Sequence, residues 1–175
     1  MLSALHEARV QFVLIGGMAA VLHGDVGVTV DLDVVPARNL DNLGRLAAAL
    51  RTIDARIRVA DAPVGLAFDC SAGFFRNLSE DATLNLTTRA GDLDLAFRPS
   101  GTQGYPDLKR DAVEIEAADG VRILVASLAD VIRSKEAADR EKDRVALPRL
   151  RRLRDRTQRD SDRSSLQGDD SGSTP

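Results

Sequence analysis

The chain has few of the residues that stabilise disulfide-bonded, zinc-binding or membrane proteins. Its 175 residues include one cysteine, two histidines and no tryptophan, and aromatic residues make up 3%. A single cysteine cannot form an internal disulfide, and no cysteine cluster has the spacing of a zinc site. No apolar run approaches the roughly 20 residues that a membrane-spanning helix requires. These absences predict a soluble, cytoplasmic protein with an aliphatic core and no membrane partner.

Charge is distributed unevenly along the chain, although its net value is only -3. Residues 133–163 contain 12 Lys and Arg against 7 Asp and Glu, so the rest of the chain is acidic. An acidic body with a basic C-terminal segment could hold a metal ion in one place and a polyanion in another. The same segment could be a solvated helix of mixed charge, and charge alone leaves both interpretations open.

The N-terminal part has the pattern of a strand, a glycine turn, a short helix and a second strand. Val10–Ile15 is almost continuously apolar, as in a strand that is covered on both faces. Gly16 and Gly17 end this strand, and Met18–His23 has the composition of two helical turns. Val28–Val35 is rich in β-branched residues and predicts the second strand, which contains two aspartates.

The rest of the pattern predicts an α/β protein of the α+β type, in which helices flank a mixed β-sheet. Apolar residues at helical spacing predict helices at residues 1–9, 40–54 and 127–138, and a last one with Leu147, Leu150 and Leu153 inward. Alternating residues around turn sequences predict hairpins at 83–97 and 113–126. In residues 55–81 a strand at 56–60 and a short helix or loop at 73–78 are expected, without assigned chemistry.

These elements divide the chain into three parts. We expect a core of residues 1–126 and a C-terminal helical part of residues 127–156 packed on it. Ser, Asp, Arg and Gly dominate residues 157–175 without periodicity, so this tail is predicted to be disordered.

Asp31 and Asp33 are the first candidate metal ligands. Residues two apart on a strand point to the same side with Cα atoms roughly 6.6 Å apart, so both carboxylates can converge on divalent cations. Such oxygen ligands suit Mg²⁺, with Mn²⁺ as the alternative. An exposed strand end could carry the same residues without a function. Two carboxylates on a strand of valines, however, are costly near a core unless a cation neutralises them.

Gly16 and Gly17 form a candidate phosphate-binding turn. A strand that ends in glycines before a helix leaves backbone N–H groups open to a phosphate, without a side chain in the way. A tight turn that merely needs glycine is the other interpretation. The sequence here has neither the Gly-x-Gly-x-x-Gly of dinucleotide-binding folds nor the Gly-Lys-Ser/Thr of a P-loop. Dehydrogenases of that type and Walker-type ATPases are therefore disfavoured.

A third carboxylate is expected from the first hairpin. Asp92 and Asp94 alternate with apolar residues, so both lie on one face of their strand and either could reach the site. Three aspartates on neighbouring strands would hold two Mg²⁺ ions about 4 Å apart. One ion would activate an attacking hydroxyl, and the other would bridge triphosphate oxygens as pyrophosphate leaves. The third aspartate would bind metal and serve as general base.

These residues together resemble the nucleotidyltransferase superfamily that includes DNA polymerase β. Gly16-Gly17, followed after thirteen residues by Asp31-Leu-Asp33 in the frame Thr29-Val-Asp-Leu-Asp-Val, looks like its signature. More narrowly, the segments that begin at Gly91, Val113, Gly120 and Lys142 are similar to those of bacterial toxins of the AbiEii/MenT kind. The resemblance covers most of residues 10–150.

The resemblance implies a role for each matching position. Asp31, Asp33 and Asp94 would be the metal carboxylates, which favours Asp94 over Asp92. Gly16, Gly17 and Lys135 would contact the phosphates of a nucleoside triphosphate such as ATP. Asp143 would support the nucleotide or the catalytic site.

The acceptor of the nucleotide is the least determined part of the prediction. Toxins of this kind are understood to add nucleotides to the 3′ end of tRNA, and a cognate antitoxin would be a partner. A basic stripe could bind the RNA backbone, and its members are Arg149, Arg151, Arg152, Arg154 and Arg156. One alternative is nucleotidylation of a protein hydroxyl, as in minimal nucleotidyltransferase antitoxins. The other is a non-catalytic RNA- or partner-binding module with a degenerate site.

Overall fold

The structure, a computed structural model, describes residues 1–117 and 120–168, with side chains to residue 160. The described helices are α1 (Leu2–Glu7), α2 (Gly16–Leu22), α3 (Leu40–Thr52), α4 (Ala72–Asn77), α5 (Tyr105–Arg110), α6 (Leu128–Ala138) and α7 (Glu141–Gly168). The described strands are β1 (Phe12–Ile15), β2 (Asp31–Pro36), β3 (Arg56–Val59), β4 (Ala62–Leu66), β5 (Thr83–Thr88), β6 (Gly91–Ala96), β7 (Val113–Glu116) and β8 (Arg122–Val125).

The strands form one mixed sheet in the order β4-β3-β5-β6-β2-β1-β8-β7. β2 lies between β1, to which it is antiparallel, and β6, to which it is parallel. β1 is also parallel to β8, while the outer pairs are antiparallel. The predicted fold class, a mixed sheet flanked by helices, is confirmed.

The core is mainly aliphatic, as the scarcity of aromatic residues predicts, and it also contains Phe12, Phe75 and Phe97. All four residues of β1 are buried, which matches its apolar sequence. The predicted inward residues of the last helix, Leu147, Leu150 and Leu153, are also buried in this core. α6 and α7 therefore contribute apolar surface to the sheet domain. No helix of the described residues has the length and hydropathy that crossing a membrane requires.

The predicted second strand is shorter in the structure than in the sequence analysis. β2 begins at Asp31, and residues 25–30 form an irregular loop in which Val26, Val28 and Val30 are 89%, 96% and 85% exposed. The β-branched pattern was misleading because a strand also needs a hydrogen-bonded neighbour. β1 ends opposite Asp33, so the preceding residues have no partner on that side.

The other differences between predicted and observed elements lie in segments with weaker hydrophobic periodicity. β4 and α5 were not predicted, and α2 begins at Gly16 instead of Met18. The strand expected at 56–60 and the helix expected at 73–78 are present as β3 and α4. The turn of the second predicted hairpin includes residues 118–119, which lie outside the described residues.

α7 continues to Gly168, so the disorder predicted from residue 157 is wrong for residues 157–168. Between Pro148 and Gly168 the sequence contains no proline or glycine that would end a helix. Asp155 and Arg159, like Arg156 and Asp160, stand at the i,i+4 spacing at which opposite charges support a helix. The low hydrophobicity of residues 157–168 therefore does not indicate disorder. Residues 169–175 lie outside the described residues.

Asn42 connects α3 to both strands that form the centre of the sheet. Its buried side chain accepts from the Gln11 N–H at 2.7 Å and donates to the Gln11 and Ala37 carbonyls, both at 2.9 Å. These bonds join the residue before β1 to the residue after β2. Asn42 therefore sets the relative position of the two strands.

We expect Asn42→Ala to lower the free energy of unfolding by about 2–4 kcal/mol, because it leaves several backbone groups without partners in a buried place. Urea unfolding followed by circular dichroism measures the change. Asn77→Ala, at an exposed position, is the matched control and should change stability by less than about 0.5 kcal/mol. Equal stabilities of the two variants would contradict the role of Asn42.

Candidate active site

The strand order brings the predicted carboxylates together at one end of the central strands. In the β2/β6 ladder Asp31 lies opposite Asp92, and Asp33 lies opposite Asp94. On the other side of β2, Asp33 lies opposite Ile15, the last residue of β1. The glycine turn that follows Ile15 is therefore adjacent to Asp33. Residues from three distant parts of the sequence meet here.

The three carboxylates have different electrostatic environments. A hydrogen bond from the Thr29 hydroxyl to Asp31 Oδ1, 2.7 Å long, is the main reason why the pKa of Asp31 is lowered. Burial, together with the charges of Asp31 and Asp94, raises the pKa of Asp33 to about 6, against the lowering effect of Lys142. Burial also raises the pKa of Asp94, although Arg58 opposes this. Asp33 is thus the member that most requires a nearby cation.

The geometry distinguishes Asp94 from Asp92. The charge of Asp94 contributes to the raised pKa of Asp33, and its side chain is 20% exposed against 37% for Asp92. Both carboxylates also contact Arg58, which the sequence analysis left without a role. The charge of Asp94 thus interacts with both other ligand candidates, and its role as the third metal ligand stays a prediction.

Gly16 and Gly17 are needed here because the neighbouring side chains approach their backbone closely. A Cβ on Gly16, whose φ is +76°, would lie 2.0 Å from Asp33 Oδ2, and one on Gly17 would lie 2.7 Å from Thr29 Oγ1. The backbone N–H of Gly17 donates to Asp33. The turn thus holds a candidate metal ligand, and phosphate binding by its N–H groups stays a prediction.

Lys135 and Asp143 form an ion pair beside the carboxylates. Lys135 Nζ lies 2.9 Å from Asp143 Oδ1, and Arg140 Nε lies 2.7 Å from Asp143 Oδ2. Asp143 is fully buried; burial opposes its charge, but the hydrogen bonds from Arg140 and Lys135 lower its pKa overall. Between α6 and α7 the chain turns at Asp139, which has a φ of +49°. Asp143 is therefore a positioning residue that holds two cations.

These cations line the same clefts as the carboxylates. One cleft of about 340 Å³ is lined by both glycines, Asp31, Asp33, Lys135, Arg140 and Lys142. A neighbouring cleft of about 290 Å³ is lined by Asp33, Asp94, Lys135 and Arg140. Arg140 and Lys142 were missed by the sequence analysis. The only signal for them was their position beside Asp143.

A divalent cation fits the chemistry of this carboxylate group. The three side chains offer hard oxygen atoms, and a cation would offset the burial and the like charges that raise the pKa of Asp33. In the part of the chain that the structure describes, however, no three acidic, cysteine or histidine side chains converge into a finished metal site. Arg58 occupies Asp94 Oδ1 at 2.6 Å. The oxygen ligands are therefore of the right type for a divalent cation, but they are not arranged around a single point.

Solved structures provide the comparison that decides the fold. The chain is similar to the lincosamide antibiotic adenylyltransferase LnuA with lincomycin bound, with a TM-score of 0.54 and 17% identity over 87% of this chain and 92% of that chain. It is also similar to a candidate nucleotidyltransferase of Thermotoga maritima, with a TM-score of 0.50 and 14% identity over 85% and 86%.

The chain has the nucleotidyltransferase fold. This confirms the fold that the resemblance implied. No protein-family model and no curated protein sequence matches the chain. At such low identity the similarity concerns the fold, so the activity, the metal and the acceptor follow from the arrangement of side chains and are proposals.

We predict that Asp33→Asn stabilises the metal-free protein at alkaline pH. Because the folded pKa of about 6 exceeds the ordinary 3.8, folding takes up protons between these values, and stability falls as pH rises through this window. The variant loses this dependence and should be about 2–3 kcal/mol more stable than the wild type at pH 8.

Urea unfolding in EDTA at pH 4, 5, 6 and 8 measures the difference between Asp33→Asn and wild type. The difference should be near zero at pH 4 and should grow toward pH 7. Asp61→Asn, which changes an exposed aspartate, should show no such growth. Destabilisation of Asp33→Asn at pH 8 would contradict the view that burial and neighbouring like charges make the ionised Asp33 unfavourable.

Proposed function

We propose that the protein transfers a nucleoside monophosphate from an NTP to an acceptor hydroxyl, with Mg²⁺ as cofactor and release of pyrophosphate. The observation that supports this proposal best is that Asp31, Asp33 and Asp94 line the same clefts as Lys135, Arg140 and Lys142. Carboxylates for metal and cations for a triphosphate are the two requirements of this chemistry. The nucleotidyltransferase fold of the chain agrees with it.

The residues divide into ligands and phosphate contacts. Asp31, Asp33 and Asp94 would hold the metal ions, two being the expected number, and Mn²⁺ could replace Mg²⁺. When bound, the ions supply Lewis-acid activation of the acceptor oxygen and neutralise charge on the phosphates. Asp94 takes the acceptor hydroxyl proton while the oxygen bonds to the α-phosphorus and the bond to pyrophosphate breaks. Lys135 and Lys142 bind phosphate oxygens, and Asp143 orients Lys135.

A second groove leads from the cleft toward the basic face of α7. It encloses about 540 Å³ between Gly24–Val26 and the arginines of α7, and it shares Asp25 and Arg149 with the catalytic cleft. Arg149 is held there by Asp25, with Nε and Oδ1 2.6 Å apart. An acceptor that lies in this groove would reach the carboxylates at one end.

The groove favours a polyanionic acceptor, and we propose RNA, specifically the 3′ end of tRNA. Within the predicted basic stripe, Arg151 and Arg154 form ion pairs with Glu136 and Asp155. Arg152 and Arg156 line the groove together with Arg159. Phosphate groups of RNA match such a row of cations. On this proposal the protein acts as the toxin of a toxin–antitoxin pair, and a cognate antitoxin protein restrains it.

Other acceptors are compatible with the same catalytic cleft. A protein hydroxyl would make the chain a protein-modifying antitoxin, and a small-molecule hydroxyl would be used if the acceptor resembled that of the lincosamide adenylyltransferase. A degenerate, non-catalytic RNA- or partner-binding module is the remaining alternative. The groove arginines favour RNA over these.

Labelled NTPs test the proposed transfer. Purified protein with Mg²⁺ and each NTP in turn is offered tRNA, total cell protein and a small-molecule hydroxyl such as lincomycin. Label on tRNA supports the proposal, and label on one of the others identifies that acceptor class. Asp31→Asn should reduce transfer by at least about 1,000-fold through loss of a metal ligand. Transfer that is insensitive to Asp31→Asn and to EDTA would contradict the mechanism.

The groove makes a separate prediction about RNA affinity. Arg152→Glu/Arg156→Glu should raise the KM for tRNA at least about 10-fold and reduce the salt dependence of binding by about two phosphate contacts. The matched control is Arg151→Glu/Arg154→Glu, which makes the same charge change on arginines that are already paired. Filter binding at several salt concentrations measures both. Equal losses in both double variants would contradict the groove assignment.

A further inference from the structure

Arg58 forms a bridge between two aspartates of a strand that is not its neighbour. Its Nη1 lies 2.6 Å from Asp92 Oδ2, and its Nη2 lies 2.6 Å from Asp94 Oδ1. The guanidinium fork therefore binds the two carboxylates of β6 that lie on the same face. One of these is the third carboxylate of the proposed metal site.

The backbone of β3 directs this side chain toward the site. β3 pairs with β5, and β5 pairs with β6, so Arg58 must reach across a whole strand. Strands lie about 4.8 Å apart, and arginine is among the few side chains long enough for two such spacings. The register of β3 against β4 shifts between Ile57 and Val59, that is, at Arg58. Such irregularities re-aim the side chain at their position.

The bridge lies in a partly desolvated place, where charge matters. The side chain of Arg58 is 32% exposed and that of Asp94 is 20% exposed. Arg58 also lowers the pKa of Asp31, so its charge is felt by more than the two aspartates it contacts. Arg58 is thus part of the electrostatic balance of the whole carboxylate group.

A metal ion and Arg58 would be two positive charges bound to the same carboxylate, that of Asp94. Arg58 already holds Oδ1 of this carboxylate, and a divalent cation would bind the same carboxylate. It would then lie close to a guanidinium, and the two positive charges would repel each other. Because coupling between two bound charges is reciprocal, each would weaken the hold of the other on Asp94.

We propose that Arg58 is a built-in counter-cation that competes with the divalent metal for Asp94. It keeps the Asp92–Asp94 pair neutralised when no metal is bound, and it lowers the affinity of the site for metal. This inference rests on the proposed function, because it assigns Asp94 to the metal. Arg58 is a positioning residue in this account and touches neither nucleotide nor acceptor.

Manganese binding to the protein without nucleotide tests the competition. Electron paramagnetic resonance measures free Mn²⁺ in titrations of wild type, Arg58→Gln, Arg56→Gln and Asp33→Asn. Arg56 is the matched control: it lies on the same strand and pairs only loosely with Asp54, 3.4 Å away. Arg58→Gln should bind Mn²⁺ about 10-fold more tightly than wild type, within the usual range for coupled sites. Arg56→Gln should bind like wild type.

The outcomes separate the inference from the proposed function. If Asp33→Asn abolishes Mn²⁺ binding but Arg58→Gln binds no more tightly than Arg56→Gln, the competition is wrong and the metal site stands. Weaker binding by Arg58→Gln would overturn it in favour of an arginine that orients Asp94 for the metal. If neither wild type nor Arg58→Gln binds Mn²⁺, the metal part of the proposed function fails, and the inference fails with it.

Thermal unfolding provides a second readout, which can be used even if Arg58→Gln is less stable than the wild type. Without metal, Arg58→Gln should melt at a lower temperature than Arg56→Gln, because Asp92 and Asp94 lose their counter-cation. Saturating Mn²⁺ should remove or reverse this difference, since metal stabilises the tighter-binding variant more. Arg58→Lys keeps the charge but not the fork and should lie between the two. If Arg58→Gln still melts below Arg56→Gln by the same amount in saturating Mn²⁺, the proposed competition is contradicted.

Discussion

Repulsion between three carboxylates on two neighbouring strands is the constraint on which the rest of the site depends. Asp33, the most affected, has a pKa raised to about 6 by burial and by the charges beside it. The surrounding structure offsets this repulsion without removing it: a hydroxyl contacts Asp31, a backbone N–H contacts Asp33, and a guanidinium contacts Asp94. Lys142 lowers the pKa of all three. The arrangement keeps the fold intact and leaves a deficit of positive charge that a divalent cation would fill.

The same constraint explains the local sequence. Gly16 and Gly17 are required because Asp33 and Thr29 occupy the space in which their Cβ atoms would lie. The buried Asp143 holds Lys135 and Arg140, and both cations line clefts that the carboxylates also line. The left-handed turn at Asp139 makes this possible, because it lets α7 begin at a new angle after α6. The carboxylate side and the cation side are thus each positioned by partners that do not themselves need to touch a substrate.

Much of the centre of the molecule could be predicted from the sequence, whereas its periphery and its charge network could not. β1, α3, the β5–β6 hairpin and the buried leucines of α7 have strong periodic patterns, and the Asp-Leu-Asp pattern of β2 has the two-residue period that points carboxylates to one side. Composition predicts a strand in the exposed loop of residues 25–30 and disorder in residues 157–168. Both predictions are wrong, because composition alone does not show which residues contact each other in the fold. Arg58 was not recognisable, since its contacts depend on a strand order of β3-β5-β6 and on an irregularity at its own position.

The central claim is that Asp31, Asp33 and Asp94 hold the metal on which an NTP is bound against Lys135 and Lys142. The most direct measurement is the anomalous diffraction of Mn²⁺ in crystals grown with a non-hydrolysable NTP analogue. The account predicts Mn²⁺ within about 2.0–2.3 Å of oxygens from all three aspartates, with the triphosphate on the two lysines. Manganese bound elsewhere, or a triphosphate at the opposite end of the sheet, would contradict it.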